Sequence, residues 1–228
     1  MTLKTHRVTP AVQDYLKEIF HFGVDGRAVS TNELSERLGV AAPSVTAMLK
    51  RLAAEGLVEH HRYHGVRLTA DGEAAALRVV RRHRLTETFL RQVLNVPWDE
   101  VHDEAEILEH AISDRLEDRI DALLGQPTRD CHGDPIPPKR GEHREVVDTP
   151  LHDVPIGARV RIERVSDRDL AVLRTAAARH IALGREMTVV GRDEPEGTVR
   201  LRHDDHQHRL GRAVVAAVSV TVVEEGAA

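Results

Sequence analysis

Four residues in one stretch of the chain have the types and the spacing of metal ligands. His102, Glu106, Glu109 and His110 lie at i, i+4, i+7 and i+8. If the stretch is helical, a rotation of about 100° per residue puts all four on one arc, beside an apolar arc. Imidazole together with carboxylate suits several divalent metals. The alternative is a surface helix whose acids form intrahelical ion pairs, which is the usual fate of such runs.

A second pair of the same kind precedes this stretch. His83 and Glu87 lie at i and i+4, so a helix presents both on one face. The two His–Glu pairs predict a metal site between two helices. Three neighbouring arginines leave open that the acids pair with bases instead: Arg81, Arg82 and Arg84.

Other segments contain metal-binding residue types without a regular pattern. His132 and residues 203–208, which include His203, Asp204, Asp205, His206 and His208, lie in loop-like sequence with no fixed mutual geometry. We therefore expect no metal site there. Cys131 is the only cysteine, which excludes an intramolecular disulfide and fits a reducing compartment.

Two long helices are expected to position the His–Glu pairs. One runs from Asp71 to about Leu94 and includes RRHRLTETFL. The other, VHDEAEILEHAISDRLEDRIDALL, is predicted as a single helix after a break at Asn95 to Pro97. Both have the 3.6-residue apolar period of packed helices.

The N-terminal region predicts a helix-turn-helix followed by a β-hairpin wing. A first amphipathic helix ends near Gly23, and Ser30 or Thr31 caps a second, with Glu33 placed to reach back. Gly39 ends that helix, and a third runs from Pro43 to Gly56. The alternating LVEHHRYHGVRLT around Gly65 then predicts the wing.

This arrangement predicts binding to double-stranded DNA. Residues 1–72 carry 9 Lys and Arg against 8 Asp and Glu, whereas residues 73–126 carry 7 against 12, so DNA contacts belong to the first segment although the chain's net charge is −5. The alternative is a helical pair that only packs. We expect base contacts from the third helix at Ala41, Pro43, Ser44, Thr46 and Ala47, and phosphate contacts from Lys50, Arg51, Arg62, Tyr63 and Arg67.

The pattern changes after residue 126. Residues 127–150 are rich in proline, glycine and charge and are predicted to be a linker. The runs RVRIERV, EMTVVGR, TVRLRH and AVSVTVV predict strands of a small open β-barrel, with one helix in DLAVLRTAAARH. The fold class is mainly α with a small β domain, divided into 1–72 (winged helix), 73–126 (helical), 127–150 (linker) and 151–228 (barrel).

Composition restricts the remaining classes of function. No window approaches the roughly 20 apolar residues of a membrane span, and the start lacks the apolar core of a signal peptide, so we expect a cytoplasmic location without membrane attachment. Aromatic residues make up 3%, which argues against base stacking. No nucleophile motif or Gly-rich loop is evident, so we expect no enzyme. A metalloenzyme using the His/Glu arc is the alternative, to be tested by a hydrolase assay with Mn²⁺ and Zn²⁺.

Taken together, AVQDYLKEIF, the winged helix, RRHRLTETFL, VHDEAEILEHAISDRL and HGDPIP resemble the diphtheria-toxin-repressor (DtxR/MntR) family over essentially the whole chain. The resemblance implies a homodimer formed by the helices after the wing, a metal that orders the DNA-binding helices, and a C-terminal SH3-like (FeoA-like) domain. It implies a main metal site of Asp14, Glu106, Glu109 and His110, and an ancillary site of His83, Glu87 and His102. Asp169 matches an ancillary ligand of the iron-type members, but the position that accompanies it in those members is occupied here by Val172.

The resemblance also indicates which metal to expect. Iron-type members have Met and Cys at the positions of Asp14 and Glu106. This chain has carboxylates there, as the manganese-type members do, and hard oxygen ligands suit manganese. Some manganese-type members carry another acid where this chain has Lys17, so a two-metal main site is not expected. The expected function is repression with Mn²⁺ as corepressor, at genes of metal uptake. Fe²⁺ is the alternative corepressor, and Zn²⁺ or Co²⁺ can substitute in vitro. The alternative function is that of a metal-independent winged-helix regulator.

Overall fold

The structure, a computed structural model, describes residues 9–23, 26–61, 65–139 and 148–224 of the 228-residue chain. Its contacts divide the chain into two compact units, each of which is described by itself. The N-terminal unit comprises Met1–His83, Glu106–Glu117 and Pro137–Gly141, and the C-terminal unit comprises Arg84–Ala105, Asp118–Ile136 and Glu142–Ala228.

The N-terminal unit begins with three helices whose ends follow from local sequence signals. Helix α1 (Pro10–Phe22) is capped by Thr9 and has proline in its first turn. Helix α2 (Thr31–Leu38) has the predicted capping box, in which Ser30 and Glu33 bond each other's backbone N–H groups. Helix α3 (Ala42–Ala54) follows a left-handed glycine, Gly39 at φ 65°, so the tight turn is built as predicted.

A two-stranded antiparallel hairpin completes the winged helix. Strands β1 (Val58–His61) and β2 (Gly65–Leu68) pair with each other, and Val29 forms a further bridge to Val66. Val66 and Val29 are fully buried in the same core as helices α1 to α3. The wing is therefore fixed to the helical core rather than projecting from it freely.

The two long helices are only partly as predicted. Helix α4 (Ala70–Val93) matches its expected range, but residues 101–124 form two helices, α5 (Val101–Leu108) and α6 (Asp114–Leu123). Ser113 causes the restart, because its Oγ accepts the N–H of Leu116 at 3.3 Å and so caps α6.

The break corrects the predicted single arc of ligands. Glu109 and His110 lie in the turn between α5 and α6, whereas His102 and Glu106 remain on helix α5. The four side chains therefore do not share one helical face, and their mutual geometry depends on the turn.

The C-terminal unit is built on a six-stranded antiparallel sheet. Its strands are β3 (Thr149–Pro150), β4 (Arg159–Val165), β5 (Glu186–Asp193), β6 (Thr198–His203), β7 (His206–Leu210) and β8 (Val218–Glu224). Their order in the sheet is β3-β8-β4-β5-β6-β7, with β3 and β7 at the edges, so the sheet is not closed into the predicted barrel. Helix α7 (Leu170–Ala178) was predicted, but the hairpin strand β7 and helix α8 (Arg212–Ala217) were not. A short 3-10 turn follows β3 at Leu151–Asp153.

The first half of the predicted linker is packed against strand β4. The carbonyl of His132 accepts the N–H of Val165 at 2.9 Å. Gly133 has φ 90°, and a Cβ there would lie 1.9 Å from the carbonyl oxygen of Glu163, so only glycine fits. This part of the HGDPIP segment is thus an ordered element of the C-terminal unit.

Within the described residues, no helix has the length and apolar composition needed to cross a membrane.

Candidate metal centre and nucleic-acid interface

Three side chains of the N-terminal unit converge at one point. Asp14 on α1 and Glu109 and His110 after α5 each offer one ligand atom, and these atoms lie within 4.8 Å of one another. Asp14 Oδ1 is 3.0 Å from His110 Nε2, which is in turn 3.6 Å from Glu109 Oε1. The first helix and the turn after α5 thereby present carboxylate and imidazole groups to a common volume.

The hydrogen bond on the other side of the His110 ring makes this point suitable for a cation. His110 Nδ1 lies 2.6 Å from Oε1 of Gln13, so with the amide oxygen as acceptor the Nδ1 atom carries the proton. Nε2 then directs a lone pair at Asp14 Oδ1, a buried oxygen that has no hydrogen-bond partner among the described residues. Two facing lone pairs need a shared proton or a metal ion between them. Burial raises the pKa of Asp14, although His110 and Lys17 oppose that effect.

A second group of ligand atoms adjoins the first and shares Glu109 with it. His83, Glu106 and Glu109 also have one atom each within 4.8 Å of one another. His83 Nδ1 is 2.6 Å from Glu109 Oε2 and 3.9 Å from Glu106 Oε1. The structure therefore places His83, which was predicted for the ancillary site, beside two residues of the main site.

Lys17 also lies in this region, although it was not among the predicted site residues. Its Nζ lies 2.7 Å from Glu106 Oε1 and 2.7 Å from Glu109 Oε1, and its side chain is only 3% exposed. Burial works to lower the pKa of this ammonium, but Glu109 and Glu106 outweigh it, so the pKa lies above its usual value. Lys17 is one helical turn after Asp14, so both lie on the same side of α1.

A separate cluster lies in the C-terminal unit. Glu87, His102 and Asp167 have ligand atoms within 4.8 Å of one another. His102 Nδ1 is 3.3 Å from both Glu87 Oε1 and Asp167 Oδ2, and Glu87 is 1% exposed. His83 precedes Glu87 by one turn of the same helix, as predicted.

Asp167 takes the place in this cluster that the sequence suggested for Asp169. The Asp169 carboxylate instead caps helix α7, since Oδ1 accepts the N–H groups of Ala171 at 2.9 Å and Val172 at 3.3 Å. A capping carboxylate is held by the helix end and directed at its backbone. The histidines and acids of 203–208 join no such group among the described residues.

Most of the predicted DNA-contacting residues are exposed, on or beside helix α3 and on the wing. Val45, Leu49 and Leu52 form the buried face of α3. The opposite face and the wing expose Ala41, Pro43, Ser44, Ala47, Lys50, Arg51 and Arg67. Thr46 is half-buried, and its hydroxyl bonds the carbonyl of Ala42 at 3.0 Å. Arg62 and Tyr63 lie outside the described residues.

Three family models match successive parts of the chain. The N-terminal DNA binding domain of the iron dependent repressor matches residues 7–66. The metal binding and dimerisation domain of the same repressor matches residues 69–138, and the FeoA domain matches residues 149–222.

Individual proteins are similar over different lengths. A solved manganese-dependent transcriptional repressor in complex with manganese is 43% identical, with a TM-score of 0.85, covering 92% of this chain and 99% of its own. The manganese regulator SloR is 31% identical, with a TM-score of 0.76, covering 97% of this chain and 100% of its own. The iron-dependent repressor IdeR of Mycobacterium leprae is 36% identical over 123 residues, 54% of each chain, so this chain spans about half the length of that relative.

Proposed function

The chain belongs to the family of metal-dependent repressors that includes the diphtheria toxin repressor, and from this premise we propose that it represses transcription with Mn²⁺ as its corepressor. Its targets are operators of genes for divalent-metal homeostasis, so it acts in the cytoplasm. The four predicted domains, 1–72, 73–126, 127–150 and 151–228, are part of this proposal.

One observation carries the proposal. Asp14 lies on the first helix of the winged-helix core, and its carboxylate meets Glu109 and His110 of the turn after α5. A cation held by these three residues would join the DNA-binding helices to the segment that follows α5. Since its ligands come from both, such a cation stabilises one arrangement of the winged helix over others.

The donor set favours manganese over the softer metals. The main site comprises Asp14, Glu106, Glu109 and His110, three carboxylates and one imidazole, with no sulfur donor. Carboxylate oxygen suits Mn²⁺, which is low in the divalent affinity series and must be selected by ligand type and geometry. Two of the similar solved structures are of manganese-dependent regulators, whereas the mycobacterial relative is an iron-dependent one. Fe²⁺ is therefore the metal against which Mn²⁺ must be compared.

The ancillary cluster is proposed to hold a second metal. Glu87, His102 and Asp167 supply two carboxylates and one imidazole, and His83 is one turn away on α4. Because Asp169 caps α7, we assign the acidic ligand to Asp167 instead.

Recognition of DNA is assigned to helix α3 and the wing. Small side chains at the start of α3, among them Ser44 and Ala47, fit close approach to base edges in a major groove. Lys50, Arg51 and Arg67 supply charge for phosphates. Metal-dependent ordering of α1 then sets the position of α3 on an operator half-site.

A homodimer is the proposed assembly. In the N-terminal unit, exposed large apolar side chains lie at the end of α5 and near the start of α6, where Ile107 is 70% exposed and Leu116 46% exposed. Surfaces of this kind mark protein contacts. Two copies related by a two-fold axis would present two recognition helices to a pseudo-palindromic operator.

The proposal is tested with DNA selected from a random pool by binding at saturating Mn²⁺. Fluorescence anisotropy under anaerobic conditions follows binding at buffered free Mn²⁺, at buffered free Fe²⁺ and with chelator, all at one stated salt concentration. We expect Mn²⁺ to activate binding at concentrations where Fe²⁺ does not. Equal or better activation by Fe²⁺ would reject manganese selectivity, and full binding in chelator would reject the corepressor mechanism.

A further inference from the structure

Resting on the proposed ancillary metal site, we infer that Trp98 and Asp99 form a clamp that positions two of its ligands. These ligands are His102 and Asp167. Both clamp residues lie in the turn directly before helix α5, the helix that carries His102. All four residues belong to the C-terminal unit. Neither Trp98 nor Asp99 is a proposed ligand, so each is a positioning residue that acts through its contacts.

Trp98 packs against the core of the C-terminal sheet and fixes the chain before Asp167. Its indole ring stacks on the His132 ring, with the ring centroids 5.3 Å apart, and its Nε1 donates to the carbonyl oxygen of Cys131 at 2.9 Å. The carbonyl of His132 accepts the N–H of Val165, two residues before Asp167, at 2.9 Å. Since strand β4 ends at Val165, Trp98 is joined through one residue to the strand end that leads to Asp167.

Asp99 fixes the chain after Asp167. Its Oδ2 lies 2.6 Å from Nε of Arg174 on helix α7, and this hydrogen bond lowers the pKa of Asp99 below its ordinary value. Helix α7 begins at Leu170 and is capped by Asp169. The loop that carries Asp167 is therefore bounded by the end of β4 and the start of α7, and contacts from the turn before α5 reach both.

The clamp is also adjacent in the sequence to the ligand on α5. His102 follows Asp99 by three residues, in the first turn of α5. Its Nδ1 is 3.3 Å from Asp167 Oδ2 and 3.3 Å from Glu87 Oε1. Groups that hold metal ligands in place typically change metal affinity by about 10- to 100-fold. We therefore expect the clamp to set the Mn²⁺ affinity of the ancillary site and to leave that of the main site unchanged.

The first test measures Mn²⁺ affinity for Trp98→Ala in two full-length backgrounds. Asp14→Ala with His110→Ala removes main-site ligands, so the remaining binding reports the ancillary site, whereas Asp167→Ala leaves the main site to be measured. Trp98→Ala should weaken binding by about tenfold or more in the first background and by less than about twofold in the second. Equilibrium dialysis with elemental analysis gives both affinities. Equal losses in the two backgrounds, or no loss in the first, would overturn the inference.

Two surface variants keep the clamp testable if Trp98→Ala does not fold, and they separate positioning from charge. Asp99→Asn removes a negative charge and Arg174→Gln a positive one, so through charge alone the first would weaken Mn²⁺ binding and the second would tighten it. Loss of positioning weakens binding in both variants, by up to about fivefold for an exposed ion pair. Arg202→Gln removes another exposed arginine of the same unit and is the matched control, which should keep the affinity of its background.

The sign of the change in Arg174→Gln decides between the two roles. Weaker ancillary binding in both Asp99→Asn and Arg174→Gln supports the clamp. Unchanged or tighter binding in Arg174→Gln would overturn it. If the protein lacking Asp14 and His110 binds no Mn²⁺ while Trp98 is intact, the ancillary site of the proposed function fails instead, so the two failures are distinguishable.

Discussion

Asp14 Oδ1 and His110 Nε2 face each other at 3.0 Å, one on the first helix of the winged helix and the other in the turn after α5. The pair links the DNA-binding element to the segment that supplies most of the main-site ligands. Gln13, adjacent to Asp14, bonds the opposite nitrogen of the same ring and fixes its orientation. The N-terminal end of α1 therefore contacts both nitrogens of the His110 ring, and Gln13 provides the hydrogen bond.

The first prediction concerns Asp14→Ala. Coupling between metal and DNA of the usual size makes Mn²⁺ tighten wild-type DNA binding by roughly 10- to 100-fold. In Asp14→Ala the Mn²⁺ effect should disappear, because α1 no longer contributes a ligand, while the circular-dichroism spectrum and metal-free DNA affinity stay unchanged. Glu36→Ala removes an exposed carboxylate of α2 and is the control that should retain the full effect. Mn²⁺-dependent binding by Asp14→Ala would reject the proposed coupling.

The second prediction separates Asp167 from Asp169. Asp167→Ala should lower the number of metal ions bound per chain by one, because it removes the ligand that accompanies His102 and Glu87. The free energy of unfolding of the metal-free protein should change little. Asp169→Ala should keep the metal count and lower the free energy of unfolding by about 1 kcal/mol, because it removes the cap of α7. Elemental analysis and urea unfolding make the comparison. The assignment fails if the two variants exchange these phenotypes.

Much of the fold was predictable because its signals are local. Ser30 with Glu33 and the left-handed Gly39 define the helix-turn-helix from single residues, and the 24 residues of α4 follow the predicted period. The His–Glu spacings likewise include most of the side chains that the structure brings together in the two clusters. Such features depend on residues that are close to one another in the sequence, so a sequence pattern predicts them directly.

What could not be predicted depends on competition between local and tertiary contacts. Ser113 fits a helix interior or a cap, and only the packing of the turn before it decides for the cap. Asp167 and Asp169 carry the same side chain two residues apart, and it is Asp169 that bonds the start of α7. Lys17 resembles a surface lysine in sequence, and its burial follows from two carboxylates contributed by a distant segment.

The third prediction addresses DNA binding through Lys50. Its exposed side chain on α3 is assigned to a phosphate, so Lys50→Ala should weaken binding to selected and unselected DNA by similar factors. The slope of log affinity against log salt should become less steep by about 1. Arg161→Ala removes an exposed cation of β4 that is paired with Glu163 and is the control that should leave the slope unchanged. An unchanged slope in Lys50→Ala would remove this residue from the interface.

The fourth prediction concerns pH and the buried acid Asp130. Burial raises its pKa well above the ordinary value, and the charges of Asp134 and Glu87 add to this effect while Arg84 opposes it. A raised pKa in the folded state contributes stability below the unfolded pKa of about 3.9, which is lost as pH rises through the folded pKa. Asparagine cannot ionise, yet its side-chain oxygen can accept the same N–H groups of His132 and Asp134.

Asp130→Asn should therefore gain stability relative to the wild type as pH rises from about 5 to about 8. Urea unfolding can be followed by the fluorescence of Trp98, the single tryptophan, whose ring stacks on His132 at 5.3 Å beside this acid. Asp193→Asn, at an exposed acid of β5, is the control for the substitution itself. A constant difference for Asp130→Asn across this range would mean that the carboxyl ionises in the folded protein at its ordinary pKa.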